Sequence, residues 1–193
     1  MKINVEKAME GEFLAPKYSN GASDEDRIIV VPYVNFPFVI EELEKEYKYL
    51  SWNFIDYNYT KEGGTVWIHW LVANYDASQG YEIPENLLDS GRTYTGGKNS
   101  FIGKPAKMTN PRLIHNYAGP MAPKGDNYYT FYVYGHNEPL DVEEGFYLID
   151  MELALDKVEH DIAKTQILCK CYEYKNLVPK LLSGKIKEKF GKK

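Results

Sequence analysis

The sequence has little cysteine and no long apolar run, and each shortage excludes a class of protein. Its 193 residues include two cysteines, Cys169 and Cys171. Two thiols two positions apart form neither an unstrained disulfide nor a four-ligand zinc site. No stretch approaches the roughly 18 consecutive apolar residues of a membrane-spanning helix. Because the first residues also lack the apolar core of a secretory signal, we expect a cytoplasmic protein.

Net basic charge is missing too. The formal charge is −5, which argues against nucleic-acid binding because contacts to phosphates need a basic face. Residues 175–193 nevertheless hold seven lysines and one glutamate, a charge of +6, so the first 174 residues carry −11. We therefore predict one domain over residues 1–174 and a basic tail over residues 175–193. An apolar stripe within this tail predicts docking on the acidic body, with an anionic membrane surface as the alternative; the stripe comprises Leu181, Leu182, Ile186 and Phe190.

The sequence also lacks the short motifs of common enzymes. It has no GxSxG elbow, no HExxH, no phosphate-binding P-loop and no GxGxxG after a strand. None of its four histidines stands four residues from another, so we predict neither a metal site nor a cofactor; they are His69, His115, His136 and His160. Because no Ser or Cys nucleophile can be assigned, we expect no enzymatic activity, and a hydrolase is the weakest alternative.

Aromatic residues make up 15% of the chain and favour strands. In residues 49–56 the apolar side chains alternate, which predicts a strand with one buried face. Residues 66–73 are almost entirely apolar and predict a strand covered on both faces. The remaining predicted elements are strands at residues 28–31, 36–40, 128–134 and 167–174, and a helix over residues 143–164.

One ionisable residue, His69, lies within the apolar strand predicted at residues 66–73. It is either a buried histidine with hydrogen-bond partners or the polar floor of a pocket. Asp56 ends the preceding strand and is the natural partner, because a carboxylate on one ring nitrogen would fix the tautomer and leave the other nitrogen for a ligand. The alternative for Asp56 is an ordinary turn residue.

Five segments then follow one another in a recognisable order. They are residues 67–74 with a histidine and an asparagine, residues 97–101 (GKNSF), the Gly-Pro loop at residues 117–126, the aromatic residues 128–134, and residues 159–163. In this order they resemble the phosphatidylethanolamine-binding protein family, which includes Raf kinase inhibitor protein and its bacterial relatives. The resemblance extends from about residue 36 to residue 174.

The resemblance implies a mainly β (α+β) fold, a Greek-key β-sandwich with a small second sheet and one or two helices near the C-terminus. It also implies an anion pocket, whose residues here are Asp56, His69, Gly119, Pro120, Asn127 and Tyr129. Asn58 stands where the family has a second aspartate, and Asn127 stands where it has a second histidine. Amides carry no charge, so this pocket is expected to be more neutral than the family's.

The resulting functional expectation is a binding protein for a small anionic ligand, such as phosphate or a phospholipid head group. Its affinity is expected to rise below about pH 6.5, the reference pKa of histidine. The alternative is a regulatory protein that inhibits or modulates a kinase or protease partner. These expectations leave open a protein partner and a homodimer, and they include no nucleic acid and no membrane span.

Overall fold

The computed structural model describes residues 1–121 and 124–172. This part of the chain contains twelve strands and three short α-helices, connected by loops and 3₁₀ turns. The strands are Lys2–Asn4 (β1), Met9–Glu10 (β2), Phe13–Leu14 (β3), Arg27–Ile28 (β4), Val31–Pro32 (β5), Phe38–Glu41 (β6), Tyr49–Asp56 (β7), Trp67–Asp76 (β8), Glu82–Ile83 (β9), Thr95–Gly96 (β10), Asn127–His136 (β11) and His160–Cys169 (β12). The α-helices are Thr60–Gly63 (α1), Pro111–Ile114 (α2) and Leu148–Leu155 (α3). Single 3₁₀ turns cover Glu6–Ala8, Pro16–Tyr18, Asp24–Asp26, Ala77–Gln79, Leu87–Asp89 and Ser100–Ile102. The predicted basic tail lies outside the described residues.

The strands form one large sheet and two small ones. The large sheet has seven strands in the order β10-β8-β7-β11-β12-β3-β2, and β6 pairs with β1 and β9 in a three-stranded sheet. Strands β4 and β5 pair only with each other. All pairs are antiparallel except β12 with β3. This arrangement agrees with the predicted mainly β fold.

An aromatic core fills the space between the large and the three-stranded sheet. Alternation in β7 directs Leu50, Trp52 and Phe54 into it, as the sequence predicts. Phe36 lies at its centre, with five aromatic rings whose centroids are 5.3–6.2 Å away. Most of these ring pairs are edge-to-face, the geometry that the aromatic quadrupole favours.

The opposite face of the large sheet is covered in part by α3. Met151 and Leu155 of α3 form a second apolar cluster with Leu71 and Ala73 of β8. Strand β8 is therefore apolar on both faces, as predicted for residues 66–73.

Three predicted elements differ from the structure. The helix predicted over residues 143–164 is limited to α3, because the apolar spacing that suggested a longer helix belongs partly to strand β12. The last strand ends at Cys169, although the sequence placed it at residues 167–174. Residues 28–31 form a turn between β4 and β5, with Ile29 in the left-handed region at φ 62°. No helix in the described ranges is long and apolar enough to cross a membrane.

Candidate functional site

The ends of three neighbouring strands meet at one end of the large sheet. Asp56 closes β7 opposite Trp67, the first residue of β8. Thr130, near the start of β11, pairs with Ile55 on the other side of β7. Because adjacent strands are antiparallel, the last residues of β7 lie beside the first residues of β8 and β11.

His69 is the extra residue of a β-bulge in β8. Phe54 of β7 pairs with Trp70, and the next residue, Ile55, pairs with Ile68, so His69 has no partner on β7. The chain around Ala118 takes the place of that partner. Its N–H donates to the His69 carbonyl over 2.9 Å, and its carbonyl accepts from His69 Nδ1 over 2.6 Å. The bulge thus turns the imidazole out of the ladder and holds it in one tautomer.

A cavity of about 200 Å³ opens beside this imidazole. We call it the inner cavity; it is lined by Asp56, Tyr59, Trp67, His69, Phe101, Met121 and Tyr129. Its walls are aromatic: the ring centroids of His69 and Tyr129 are 5.2 Å apart, and those of Trp67 and Phe101 are 5.3 Å apart. Asp56 is the only carboxylate among these lining residues.

A second depression of about 280 Å³, the outer cavity, shares Asp56 and Tyr59 with the first. Its other lining residues are Asn58, Lys61, Glu62, Lys124, Asp126, Asn127 and Tyr128. Its carboxylates already have partners: Glu62 lies 3.6 Å from Lys124 Nζ, and Asp126 accepts from the Cys171 N–H. The two cavities form one cleft, aromatic inside and polar at its mouth.

Burial lowers the pKa of His69 to about 4, although the Ala118 carbonyl and the charge of Asp56 oppose this shift. The side chain is 3% exposed, and a buried imidazole disfavours its charged form. His69 is therefore neutral at pH 6.5 in the free protein, and the expected rise of anion affinity below that pH stays a prediction. Because a carbonyl only accepts, Nδ1 carries the proton and Nε2 is the acceptor nitrogen of the neutral ring.

Asp56 organises the loop after β7. Its Oδ1 accepts from the backbone N–H groups of Asn58 over 2.8 Å and Tyr59 over 3.2 Å. This is the turn role that the sequence left open for an aspartate at a strand end. The predicted bond from Asp56 to the His69 ring is replaced by the bond to Ala118, and Asp56 acts on the imidazole through its charge alone.

The two positions that depart from the family pattern contact each other. Asn58 Nδ2 donates to Asn127 Oδ1 over 2.5 Å, and Lys61 Nζ donates to Asn58 Oδ1 over 3.0 Å. A neutral amide pair therefore joins the loop after β7 to the start of β11 at the mouth of the cleft.

Gly119 and Pro120 lie behind the site and do not line either cavity. The Gly119 N–H donates to the Pro32 carbonyl over 2.8 Å, and the Pro120 carbonyl accepts from the Asn20 N–H over 2.9 Å. They anchor the Gly-Pro loop to the N-terminal segment and thereby hold Ala118 against His69. A backbone hydrogen bond of Gly119 also acts on the His69 imidazole, and the predicted part of Gly119 and Pro120 in ligand binding stays a prediction.

Four residues of the inner cavity were not predicted: Tyr59, Trp67, Phe101 and Met121. Phe101 is held by Asn99, whose Nδ2 donates to two carbonyls and whose Oδ1 accepts from the Phe101 N–H. The motif at residues 97–101 was therefore the sequence feature from which Phe101 could have been predicted as a lining residue of the inner cavity.

Other polar groups of the described residues suggest no second centre. No three His, Cys, Asp or Glu side chains there are grouped as a metal site would require. Ser51 Oγ lies 2.8 Å from His136 Nε2, but both residues are fully buried and line neither cavity.

Residues 4–172 match the family model described as phosphatidylethanolamine-binding protein. The chain belongs to this family. The phosphatidylethanolamine-binding proteins bind small ligands, and the cleft at the ends of β7, β8 and β11 is the candidate site in this member.

Two other findings agree with membership in the phosphatidylethanolamine-binding protein family. YxkA of Bacillus subtilis (strain 168), an uncharacterized protein, is 35% identical over 168 residues, 86% of this chain and 96% of YxkA. The crystal structure of a homologue of this family from Chlamydia trachomatis has a TM-score of 0.67 at 20% identity, covering 89% of this chain and 96% of that one. YbcL of E. coli, described as a new member of the mammalian family, has a TM-score of 0.63 at 15% identity, covering 89% and 98%. At these identities the two crystal structures show the shared fold.

Proposed function

We propose that this protein binds a small ligand through an anionic, phosphate-like group placed in the inner cavity against His69. One observation carries the proposal: the bulged imidazole lines the inner cavity, and because its Nδ1 donates to the Ala118 carbonyl, Nε2 is the acceptor nitrogen of the neutral ring.

Anion binding at this site takes up a proton. Neutral Nε2 accepts hydrogen bonds, so an anion without a proton of its own requires the imidazolium as a donor. Asp56 already favours the imidazolium by its charge, and the anion adds to this effect. By linkage, affinity rises as the pH falls toward 4, by up to about tenfold per pH unit.

The rest of the cleft supports a small head group rather than a long ligand. Pockets for drug-sized molecules measure about 300–1,000 Å³, which exceeds the inner cavity of about 200 Å³. The aromatic walls suit an apolar part of the ligand, and Lys61 and Lys124 at the mouth attract an anion from solution. We propose binding without catalysis, because no nucleophile lies beside His69 among the lining residues.

Calorimetric titration of the full chain with sulfate, inorganic phosphate and glycerophosphoethanolamine tests the proposal. The number of protons taken up on binding is measured from the binding enthalpy in buffers of different ionisation enthalpy. Because sulfate carries no proton between pH 5 and pH 8, any proton taken up with sulfate is bound by the protein, and we assign it to His69. We expect uptake of about one proton at pH 7 and tighter binding at pH 5. His69→Gln is expected to bind independently of pH, because its amide donates at every pH.

His115→Gln is the matched control. His115 lies beside Glu144 and outside both cavities, so its substitution is expected to leave the proton count unchanged. Absence of binding by all three probes would refute the anion site. Binding without proton uptake would remove His69 from the mechanism.

A further inference from the structure

An apolar surface is exposed around helix α3 and strand β12, and it begins at Tyr57 in the loop after β7. Four large side chains are about half exposed there: Tyr57 at 46%, Ile149 at 61%, Leu153 at 54% and Ile162 at 49%. We call them the outer apolar face. Ile149 and Leu153 belong to α3, and Ile162 belongs to the neighbouring strand β12.

Side-chain contacts connect these residues into one surface. Tyr134 of β11 lies opposite Ile162 of β12, and burial together with the nearby charge of Glu152 raises the pKa of Tyr134. The Tyr134 ring lies beside that of Tyr132, with centroids 6.5 Å apart, and Tyr57 lies close to Tyr132. The outer apolar face is thus bounded below by strands β11 and β12, its floor, and on one side by helix α3, its wall.

The wall is acidic. Positions 149, 152, 153 and 156 share one side of α3, because residues three and four apart on a helix are neighbours. No Lys or Arg of the described ranges forms an ion pair with Asp150, Glu152 or Asp156. Burial and the charge of Asp156 raise the pKa of Glu152, although His160 nearby opposes this shift. The basic group on the floor is Lys164, which lies over the Tyr132 ring.

We infer that the basic tail, residues 175–193, docks on the outer apolar face of its own chain, with its lysines along the acidic edge of α3. The tail carries seven lysines and the apolar residues Leu181, Leu182, Ile186 and Phe190. Charge and apolar character therefore both match the surface. Apolar contact supplies most of the affinity, since exposed ion pairs are screened by solvent and salt and add little.

The tail is long enough to reach this surface. Strand β12, which carries Ile162, ends at Cys169, so those two residues are about 23 Å apart along the strand. Residues 170–172 can add about 10 Å to this distance. The fourteen steps from residue 172, where the described residues end, to residue 186 span up to about 48 Å when extended. Ile186 can therefore reach Ile162, and the residues after it can follow α3. A second copy of the chain is a poorer occupant, because it would bring two acidic walls together.

Hydrogen exchange on the full chain, followed by mass spectrometry of its peptides, tests the docking. We expect amides of residues 180–190 to exchange at least tenfold more slowly than an unstructured peptide of that sequence. Leu153→Asp and Ile162→Asp are expected to remove this protection while the exchange of β7 and β8 stays unchanged. Ile102→Asp is the matched control, because Ile102 is 40% exposed elsewhere on the surface; it is expected to leave the tail protected.

Three results would overturn the inference. The first is tail exchange at the unstructured rate in the unsubstituted chain. The second is protection that grows with protein concentration together with a dimer in sedimentation velocity, which would identify a second copy as the occupant. The third is protection only when vesicles of phosphatidylcholine and phosphatidylserine are added, which would identify a membrane surface.

Discussion

Gly119 shows how closely the chain approaches itself behind the candidate site. A Cβ atom at this position would lie 2.7 Å from the Tyr18 carbonyl oxygen and 2.8 Å from Pro32 Cβ. Neither of these atoms belongs to a flexible side chain, so the backbone would have to move. Because the same loop holds Ala118 against His69, such a movement would reach the imidazole.

Gly119→Ala is expected to lower the free energy of unfolding by about 2–3 kcal/mol, the usual cost of overpacking. Urea denaturation measures this loss. Gly11→Ala is the control, since Gly11 has φ +62° and open space around it; only left-handed strain of about 1–2 kcal/mol is expected there. A smaller loss for Gly119→Ala than for the control would contradict the contact.

At the scale of elements, the segment before Phe101 supports one wall of the inner cavity. Asn99 is 1% exposed and bonds to the Leu113 and Asn116 carbonyls and to the Phe101 N–H. One amide thus connects this segment to the end of α2. Its three backbone partners would be left unsatisfied if it were removed, and buried unsatisfied groups are costly.

Asn99→Ala is expected to cost about 2–4 kcal/mol of stability and to weaken anion binding through the loss of a fixed Phe101. Asn110→Ala is the matched control, because its exposed side chain makes one cap bond to the Arg112 N–H; about 1 kcal/mol is expected. Chemical denaturation and sulfate titration of both variants measure these effects. Equal losses of stability would show that Asn99 acts only as a local cap.

For the whole molecule, two buried histidines connect stability to pH. Burial lowers the pKa of His136 to about 4, with the charge of His160 adding to the effect, and the pKa of His69 is also about 4. In the unfolded chain both titrate near 6.5. Between these values the unfolded state binds more protons, so stability is complete above about pH 6.5 and falls as the pH drops toward 4.

Each histidine is expected to contribute on the order of 3 kcal/mol to this loss between pH 7 and pH 4. His136→Gln removes one titrating group and is expected to reduce the loss by about half of the two-histidine contribution. Thermal melting of the unsubstituted chain and of His136→Gln across this pH range measures the difference in lost stability. The carboxylates contribute equally to both chains, so their effect cancels in this difference. Parallel curves for the two chains would show that His136 is not the group responsible.

The candidate site was predictable only in part. Alternation in residues 49–56 placed Asp56 on the inner face, and the order of the motifs brought His69 and Tyr129 to the same cavity. Asn127, which was predicted for the same pocket, lines the outer cavity. The roles of Gly119 and Pro120 were not predictable, because the pattern of a Gly-Pro loop does not specify which of its backbone atoms face the ligand. The function of these residues in ligand binding stays a prediction.

Alternation between neighbouring residues by itself determined the mainly β fold and the long strands β7, β8 and β11. The order of five motifs along the chain indicated the family. Tertiary structure decided the bulge at His69, the tautomer of its ring and its pKa. These depend on strand register and on Ala118, 49 residues away in the sequence. Tertiary packing also decided the length of α3 against β12, since an apolar spacing of three to five residues suits both a helix and a strand until a partner surface selects one.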